Sequence, residues 1–323
     1  MKSLPISPDK PWLAPLAGYS DLPFRMLCRR RGCAAACTEM VSVKGLKHDG
    51  KGTKSLLTTC EEDTPLVVQL FGGEPQDYSN TMPQLIEEGY TFFDLNSGCP
   101  VKKVLKTGGG SALHLEPDRL VATAKAMVDA AGEGRVGVKI RLGFMVGEDN
   151  YLEIAKRLED IGVAWITMHP RYAKQMFSGT ADWSKLAVLK QNISIPVIGS
   201  GDLFTAEDAV ECIRQTGIDG IMFARGALYD PAIFSRYLKL LDDPSCADLP
   251  PFDLGKTMEE HILMTREFDG SNSSFRKIRS ILPRYAKGMD GIRAIRTGLT
   301  QCSNWDELLE AARTVSTLTM DRC

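Results

Sequence analysis

Cys99 lies in the run Asn96-Ser97-Gly98-Cys99-Pro100. A thiol with an ordinary pKa of about 8.5 keeps its proton at neutral pH, so it can donate one during a reaction. With a lowered pKa it could serve as a nucleophile, and in a packed interior it would do neither. Gly98 permits an unusual turn before it and Pro100 fixes the chain after it. Lys139 lies between Val138 and Ile140. In a strand those two neighbours point one way and Lys139 the other, into the interior. An inward lysine without a partner is costly. Three partners are open to it: a bound anion or electron-rich ring such as a reduced isoalloxazine, a carbonyl substrate joined as a Schiff base, or a carboxylate such as Glu39. His169 precedes Pro170-Arg171 and reads either as a core histidine or as a donor to a phosphate or ring edge.

These residues need strands to hold them. Short runs rich in Val, Ile, Leu and Phe recur at Trp12–Ala17, Ala34–Thr38, Leu66–Phe71, Phe92–Asn96, Val136–Arg141, Trp165–His169, Ile195–Gly199 and Gly220–Ala224. Stretches of helical period separate most of them, including Asp77–Glu88, Asp118–Ala131, Asn150–Ile161, Trp183–Gln191, Ala206–Gln215 and Pro231–Leu241. Thr205 with Asp208 reads as a helix cap, and Pro231 as a first helical residue. Strand followed by helix, repeated in this way, predicts an α/β fold of the (β/α)8 TIM-barrel class over residues 1–242. Asp242-Asp243-Pro244-Ser245 and Pro250-Pro251 read as a linker. Residues 243–323 are expected to form a small all-helical C-terminal domain.

A barrel of this class carries its site at the C-terminal ends of the strands. Nearly every predicted strand delivers a polar or glycine-rich tip there. Gly199-Ser200-Gly201-Asp202 and Ala224-Arg225-Gly226 follow the last two strands, where backbone N–H groups commonly bind phosphate. Arg225 adds a fixed positive fork. No zinc triad is spaced among His48, His114, His169 and His261, and no metal is expected. Cys28, Cys33 and Cys37 cluster, but no fourth ligand follows at a familiar iron–sulfur spacing.

The formal net charge of −2 excludes a uniformly basic molecule, so any nucleic-acid surface must be local. Arg276, Lys277, Arg279, Arg284, Lys287, Arg293 and Arg296 supply one, opposed within that stretch only by Asp290 and interleaved with Phe275 and Tyr285. This asymmetry points to a polyanion, with RNA as the partner. Lys102, Lys103 and Lys106 extend positive charge beside Cys99. The N-terminus shows no signal-peptide pattern and no apolar run is long enough to span a membrane. A cytoplasmic protein without a membrane partner, and with no obligatory protein partner evident, is expected.

Three motifs in this order resemble the tRNA-dihydrouridine synthase family, most closely its bacterial B-type branch. They are Pro15-Leu16-Ala17-Gly18-Tyr19-Ser20-Asp21-Leu22-Pro23-Phe24-Arg25, Asp94-Leu95-Asn96-Ser97-Gly98-Cys99-Pro100-Val101-Lys102-Lys103-Val104 and Lys139-Ile140-Arg141-Leu142-Gly143. The resemblance spans nearly the whole chain. Departures are Leu16, Pro170, Ser200 and Ala224, which stand where methionine, glycine, asparagine and glycine are usual. The resemblance implies FMN as cofactor, NADPH as reductant and tRNA as substrate. It implies Cys99 as general acid. The implied FMN contacts are Pro15, Leu16, Ala17, Gln69, Lys139, His169, Ser200, Gly201, Asp202, Ala224 and Arg225. Asn96 and Arg171 would line the substrate side, with Arg276, Lys277 and Lys287 facing RNA. A free-pyrimidine flavoenzyme of the dihydroorotate-dehydrogenase type is the nearest rival, and the basic tail argues against it. A Schiff-base lyase and a non-enzymatic RNA-binding barrel are the others.

Overall fold

The computed structural model of the chain describes residues 4–47, 50–246, 249, 253–287 and 293–320. Nine strands form one parallel sheet: β1 (Trp12–Leu13), β2 (Ala35–Cys37), β3 (Val41–Ser42), β4 (Leu66–Phe71), β5 (Phe92–Asn96), β6 (Val136–Ile140), β7 (Trp165–Met168), β8 (Val197–Gly199) and β9 (Gly220–Phe223). β1 pairs with both β2 and β9, and β2 pairs with β4. Eight strands therefore close into the expected barrel, with helices packed around it.

β3 is not a ninth stave. Cys37 registers with Val67 and Val41 with Leu70, so β2 and β3 share one edge of β4. Between those pairs one side advances four residues and the other three, which defines a bulge. Thr38 bridges it: its N–H donates to the Val67 carbonyl, and its Oγ1 accepts from the Gln69 N–H at 3.1 Å. The predicted first strand is cut to Trp12–Leu13. Pro15 has no N–H to continue the ladder, and the N–H groups of Tyr19 and Ser20 turn back onto the Leu16 carbonyl. The Thr205–Asp208 capping box forms as read. Pro231 does not open a helix. The helix Ile233–Asp242 starts two residues later, after an Asp230 turn that accepts from the Ala232 N–H.

The floor of the barrel is apolar. The Trp12 and Trp165 rings meet edge to face, with centroids 5.9 Å apart. A Cβ on Gly137 would lie 2.0 Å from the Trp165 ring, so only glycine admits that indole. Val67, Phe92, Ile198 and Met222 fill the same layer. Cys28, Cys33 and Cys37 are buried free thiols in two different hydrophobic layers, and burial pushes the Cys33 thiol up to about 12.

Among the described residues beyond Asp253 the secondary structure is helical: Leu254–Phe268, Asn272–Ile281, Arg293–Gln301 and Trp305–Met320. The predicted Pro250-Pro251 linker, Asp290 and His48 lie outside the described residues. The helical tail joins the outer hydrophobic layer of the barrel. Phe24 of the barrel meets the His261 ring at 5.8 Å, and Arg31 pairs with Glu260 at 2.7 Å. Phe275 and Tyr285 are buried, not exposed between the cations as their spacing suggests. Phe275 packs on Trp305, and the Tyr285 hydroxyl bonds the His261 Nδ1 at 2.8 Å. No described helix is long and apolar enough to cross a membrane.

One buried ion cluster fixes the loop after β1. Asp63 pairs with Arg25 and Arg29, each at 2.7 Å, and Arg25 also donates to the carbonyls of Ser20 and Thr58. Arg25 and Asp63 are both nearly solvent-free. Removing one partner strands a buried charge. Asp63→Ala is expected to lower unfolding free energy by about 3–5 kcal/mol, read by denaturant titration, and an unchanged midpoint would refute the structural weight given to this cluster.

Candidate active site

The strand tips converge on one cavity of about 250 Å³ at the C-terminal rim. Its wall includes Pro15, Leu16, Ala17, Gln69, Asn96, Cys99, Lys139, His169, Ser200, Gly201, Asp202, Ala224 and Arg225. Lys139 and Cys99 thus open onto the same space, from β6 and from the loop after β5. Arg171 does not reach it. Expected on the substrate side, it is buried and spends its guanidinium on both Asp202 oxygens and on the carbonyls of Ser178 and Gly179. It braces the wall from behind.

The loop after β5 is pinned by backbone contacts. The Cys99 carbonyl accepts from the Ser111 N–H and hydroxyl at 3.0 and 3.1 Å. The Cys99 N–H donates to Asn96 Oδ1 at 3.0 Å. The thiol is left half-buried, and desolvation raises its pKa, so the neutral form dominates at physiological pH. That is the state a proton donor needs.

Below the rim, inward positions of β4, β5 and β6 are polar: Gln69, Asp94, Asn96 and Lys139. Burial lowers the Lys139 pKa, with the Asp94 charge opposing that shift, and burial raises Asp94. Glu39, weighed from the sequence as the partner of Lys139, is committed elsewhere. It accepts from the Gly18 N–H and pairs with Lys277 at 3.1 Å. No carboxylate of the described residues comes within 4 Å of the Lys139 amine. Lys139 is therefore a half-buried cation facing open space, which suits an anionic or electron-rich ligand.

The far wall suits a phosphate. Gly201 and Asp202 both take positive φ, 109° and 54°. A Cβ on Gly201 would meet the His169 ring at 2.5 Å, so glycine is required there. Among the described residues the N–H groups of Gly201 and Asp202 have no hydrogen-bond acceptor. The short helix Arg225–Tyr229 begins beside them, and its first N–H groups lack intrahelical partners. The Asp202 carboxylate is held by Arg171 and, at 3.3 Å, by Arg225. Its charge is thereby neutralised next to this donor cluster. His169 sits among Arg141, Lys139, Arg171 and Arg225. Burial and those cations hold its ring neutral.

Several wall residues receive no role from the sequence, Arg141 among them although it stands in the lysine motif. Arg141 crosses from β6 to the Gly98 carbonyl at 2.8 Å and to the carbonyls of Tyr172 and Met176. Met40, Phe177 and Phe204 complete the mouth. Arg225 lies 4.8 Å from both the Phe177 and Phe204 rings. Phe204 stacks on Tyr229, and Lys287 covers Tyr229 at 4.1 Å. The sequence marks none of these rings, because an isolated phenylalanine in a loop has no period or spacing to distinguish it.

The basic tail is only partly free. Arg276, Arg284, Lys287, Arg293 and Arg296 are exposed. Lys277 is not a free cation. It is locked between Asp21 and Glu39 at 2.9 and 3.1 Å, which ties the helix Asn272–Ile281 to the barrel rim. Lys102, Lys103 and Lys106 are exposed beside Cys99.

The dihydrouridine synthase family model matches residues 12–319. A probable tRNA-dihydrouridine synthase 1 of Synechocystis sp. is 35% identical over 91% of this chain and 82% of its own length. A tRNA-dihydrouridine synthase B of Pseudomonas aeruginosa is 32% identical over 95% of this chain and 92% of its own. Among solved structures, a morphinone reductase aligns with a TM-score of 0.53 at 12% identity, covering 74% of this chain and 90% of that one. The old yellow enzyme homologue of Zymomonas mobilis aligns with 0.52 at 13% identity, over 79% and 96%. These last two establish the barrel alone. With a family match over most of its length and relatives above 30% identity across nearly their whole chains, this protein belongs to the dihydrouridine synthase family.

Proposed function

We propose that the chain is a flavin-dependent oxidoreductase that reduces the C5–C6 double bond of uridine in tRNA, with FMN as cofactor and NADPH as reductant. One observation carries the reading: a neutral half-buried thiol and a half-buried lysine face one cavity whose far wall offers backbone N–H groups unpartnered among the described residues. When bound, FMN would supply the hydride delivered to C6 of the base. The N–H groups of Gly201 and Asp202, with Arg225, would hold its phosphate. Gln69, Lys139 and His169 would line its ring, with Pro15, Leu16, Ala17, Ser200 and Ala224 as walls.

The other steps belong to the chain. Asn96 and Arg141 line the cavity beside Cys99 and would flank the base. The Cys99 thiol gives its proton to C5 and recovers one from solvent. A uridine inside folded tRNA must swing out to reach this depth. The helical tail, residues 243–323, is inferred to hold tRNA phosphates during that step, through Arg276, Lys287 and their exposed neighbours. Lys277 contributes by fixing the tail to the barrel. The family membership supports tRNA as substrate, and the cytoplasm is where that substrate resides.

Cys99→Ala is expected to stay yellow and to oxidise NADPH, yet to form no dihydrouridine by mass spectrometry of tRNA. Wild-type product levels in this variant would remove Cys99 from the reaction. The pH–rate profile should fall as pH rises, because both key groups act in their protonated forms. Lys139, lowered by burial, loses its charge first, and Cys99, raised by desolvation, loses its proton at higher pH. Lys139→Arg should keep its plateau at pH values where the wild type has declined, whereas a wild-type rate still flat at about pH 10 contradicts the role of a charged Lys139. Arg276→Glu is expected to weaken tRNA binding most at low salt and to shallow the salt dependence, as measured by filter binding. Equal affinity at every salt concentration would clear this residue of any RNA contact.

A further inference from the structure

The polar layer inside the barrel contains a carboxylate that touches neither the cavity nor an ion-pair partner. Asp94 is 2% exposed, at the middle of β5. Its Oδ2 accepts from Gln69 Nε2 at 2.7 Å. Gln69 Oε1 accepts from Asn96 Nδ2 at 2.7 Å. Asn96 Oδ1 accepts from the N–H groups of Gly98 and Cys99 at 3.2 and 3.0 Å. Three side chains on two adjacent strands thus form one unbroken chain that ends on the backbone of the reactive cysteine.

Such a chain has a direction. In its ionised form, which the Gln69 hydrogen bond and the Lys139 charge favour against burial, Asp94 only accepts, so it obliges Gln69 to turn its NH2 toward Asp94 and its oxygen toward Asn96. If Gln69 flipped, its oxygen would face the carboxylate and its NH2 would face the Asn96 NH2. Both contacts would be lost and both would repel. Backbone neighbours cannot fix the Gln69 side chain, since Thr38 holds only its N–H. We propose that Asp94 is a positioning residue that sets the polarity of this amide chain and through it holds the Cys99 backbone at the cavity wall. Its bearing on catalysis rests on the reading of Cys99 as proton donor. Its bearing on the cysteine loop does not.

The test reads the Cys99 thiol directly. Protein as purified is treated with iodoacetamide, and alkylation of the Cys99 peptide is followed by mass spectrometry, without RNA or NADPH. In Asp94→Asn either amide direction becomes possible, and the loop is held less firmly. Alkylation of Cys99 should speed up by about fivefold, the scale of one hydrogen bond to a buried group. Thr167→Val, at an inward buried position of β7, two strands from β5, and outside the chain of bonds, should leave the rate unchanged.

The decisive readout is rescue. In the double variant Asp94→Asn/Gln69→Glu the carboxylate moves one step along the chain, from β5 to β4. There it accepts from the new amide on β5 on one side and from Asn96 on the other, so the Asn96 orientation is restored. The double variant should return to within about twofold of the wild-type alkylation rate. General loosening of the barrel would not be repaired by a second substitution. A wild-type rate in Asp94→Asn, or a double variant faster than both single variants, overturns the proposal. If Asp94→Asn does not fold, Gln69→Met cuts the same chain without touching the carboxylate. Fast alkylation there supports the proposal, and a wild-type rate ends it. Failure of this test leaves tRNA reduction by Cys99 standing, while loss of that reading through Cys99→Ala leaves the alkylation results intact.

Discussion

Inside this barrel a carboxylate, a lysine and two primary amides occupy inward positions that barrels of this class commonly fill with branched aliphatic residues. Burying these groups is unfavourable unless each finds a partner. The amides find one another, and Asp94 takes the end of their chain. Lys139 finds no carboxylate within ion-pairing distance among the described residues and opens onto the cavity. The layer is therefore satisfied only in part by the protein itself, and the remaining demand points upward, to whatever fills the site. Below it the Trp12–Trp165 pair closes the floor, so the polar groups face one exit.

The rim continues the same logic. Positive groups crowd the rim: Arg225 and the N–H groups of Gly201 and Asp202 on the far wall, Arg171 behind it, and Arg141 against the Cys99 loop. Among the described residues Asp202 offsets them locally, and its carboxylate is gripped by two arginines. Burial, with that surplus, holds His169 neutral, which leaves the ring able both to accept and to donate. Cys99, on the loop after β5, is desolvated and keeps its proton. One cavity thus offers an anion site, a half-buried cation and a proton donor without any of them neutralising another.

The tail is tied to this arrangement by charge as well as by apolar packing. Lys277 reaches Asp21 at the start of the helix Leu22–Arg29 and Glu39 in the bulge between β2 and β3. Glu39 in turn holds the Gly18 N–H in the loop that lines the cavity. A residue that belongs by sequence to a basic surface is spent as a fastener between the two parts. The aromatic residues at the cavity mouth come from the barrel loops instead, at Phe177 and Phe204.

The sequence by itself determined the barrel, because strand-length apolar runs alternating with helical period admit few other closures. It determined that Cys99, Lys139 and the glycine-rich tips of β8 and β9 share one rim, since every strand of a parallel barrel ends on the same side. It also determined the helical tail and its excess of positive charge. What it could not determine were partners. Whether Arg171 faces a ligand or Asp202, whether Lys277 meets RNA or Glu39, and whether Phe275 stacks outward or on Trp305 depend on distances between elements far apart in the chain. The bulge at Thr38, the early end of β1 at Pro15 and the amide chain from Asp94 to Cys99 are likewise set by neighbouring strands. Residue type and spacing fix which face a side chain takes, but only the assembled barrel decides what stands opposite it.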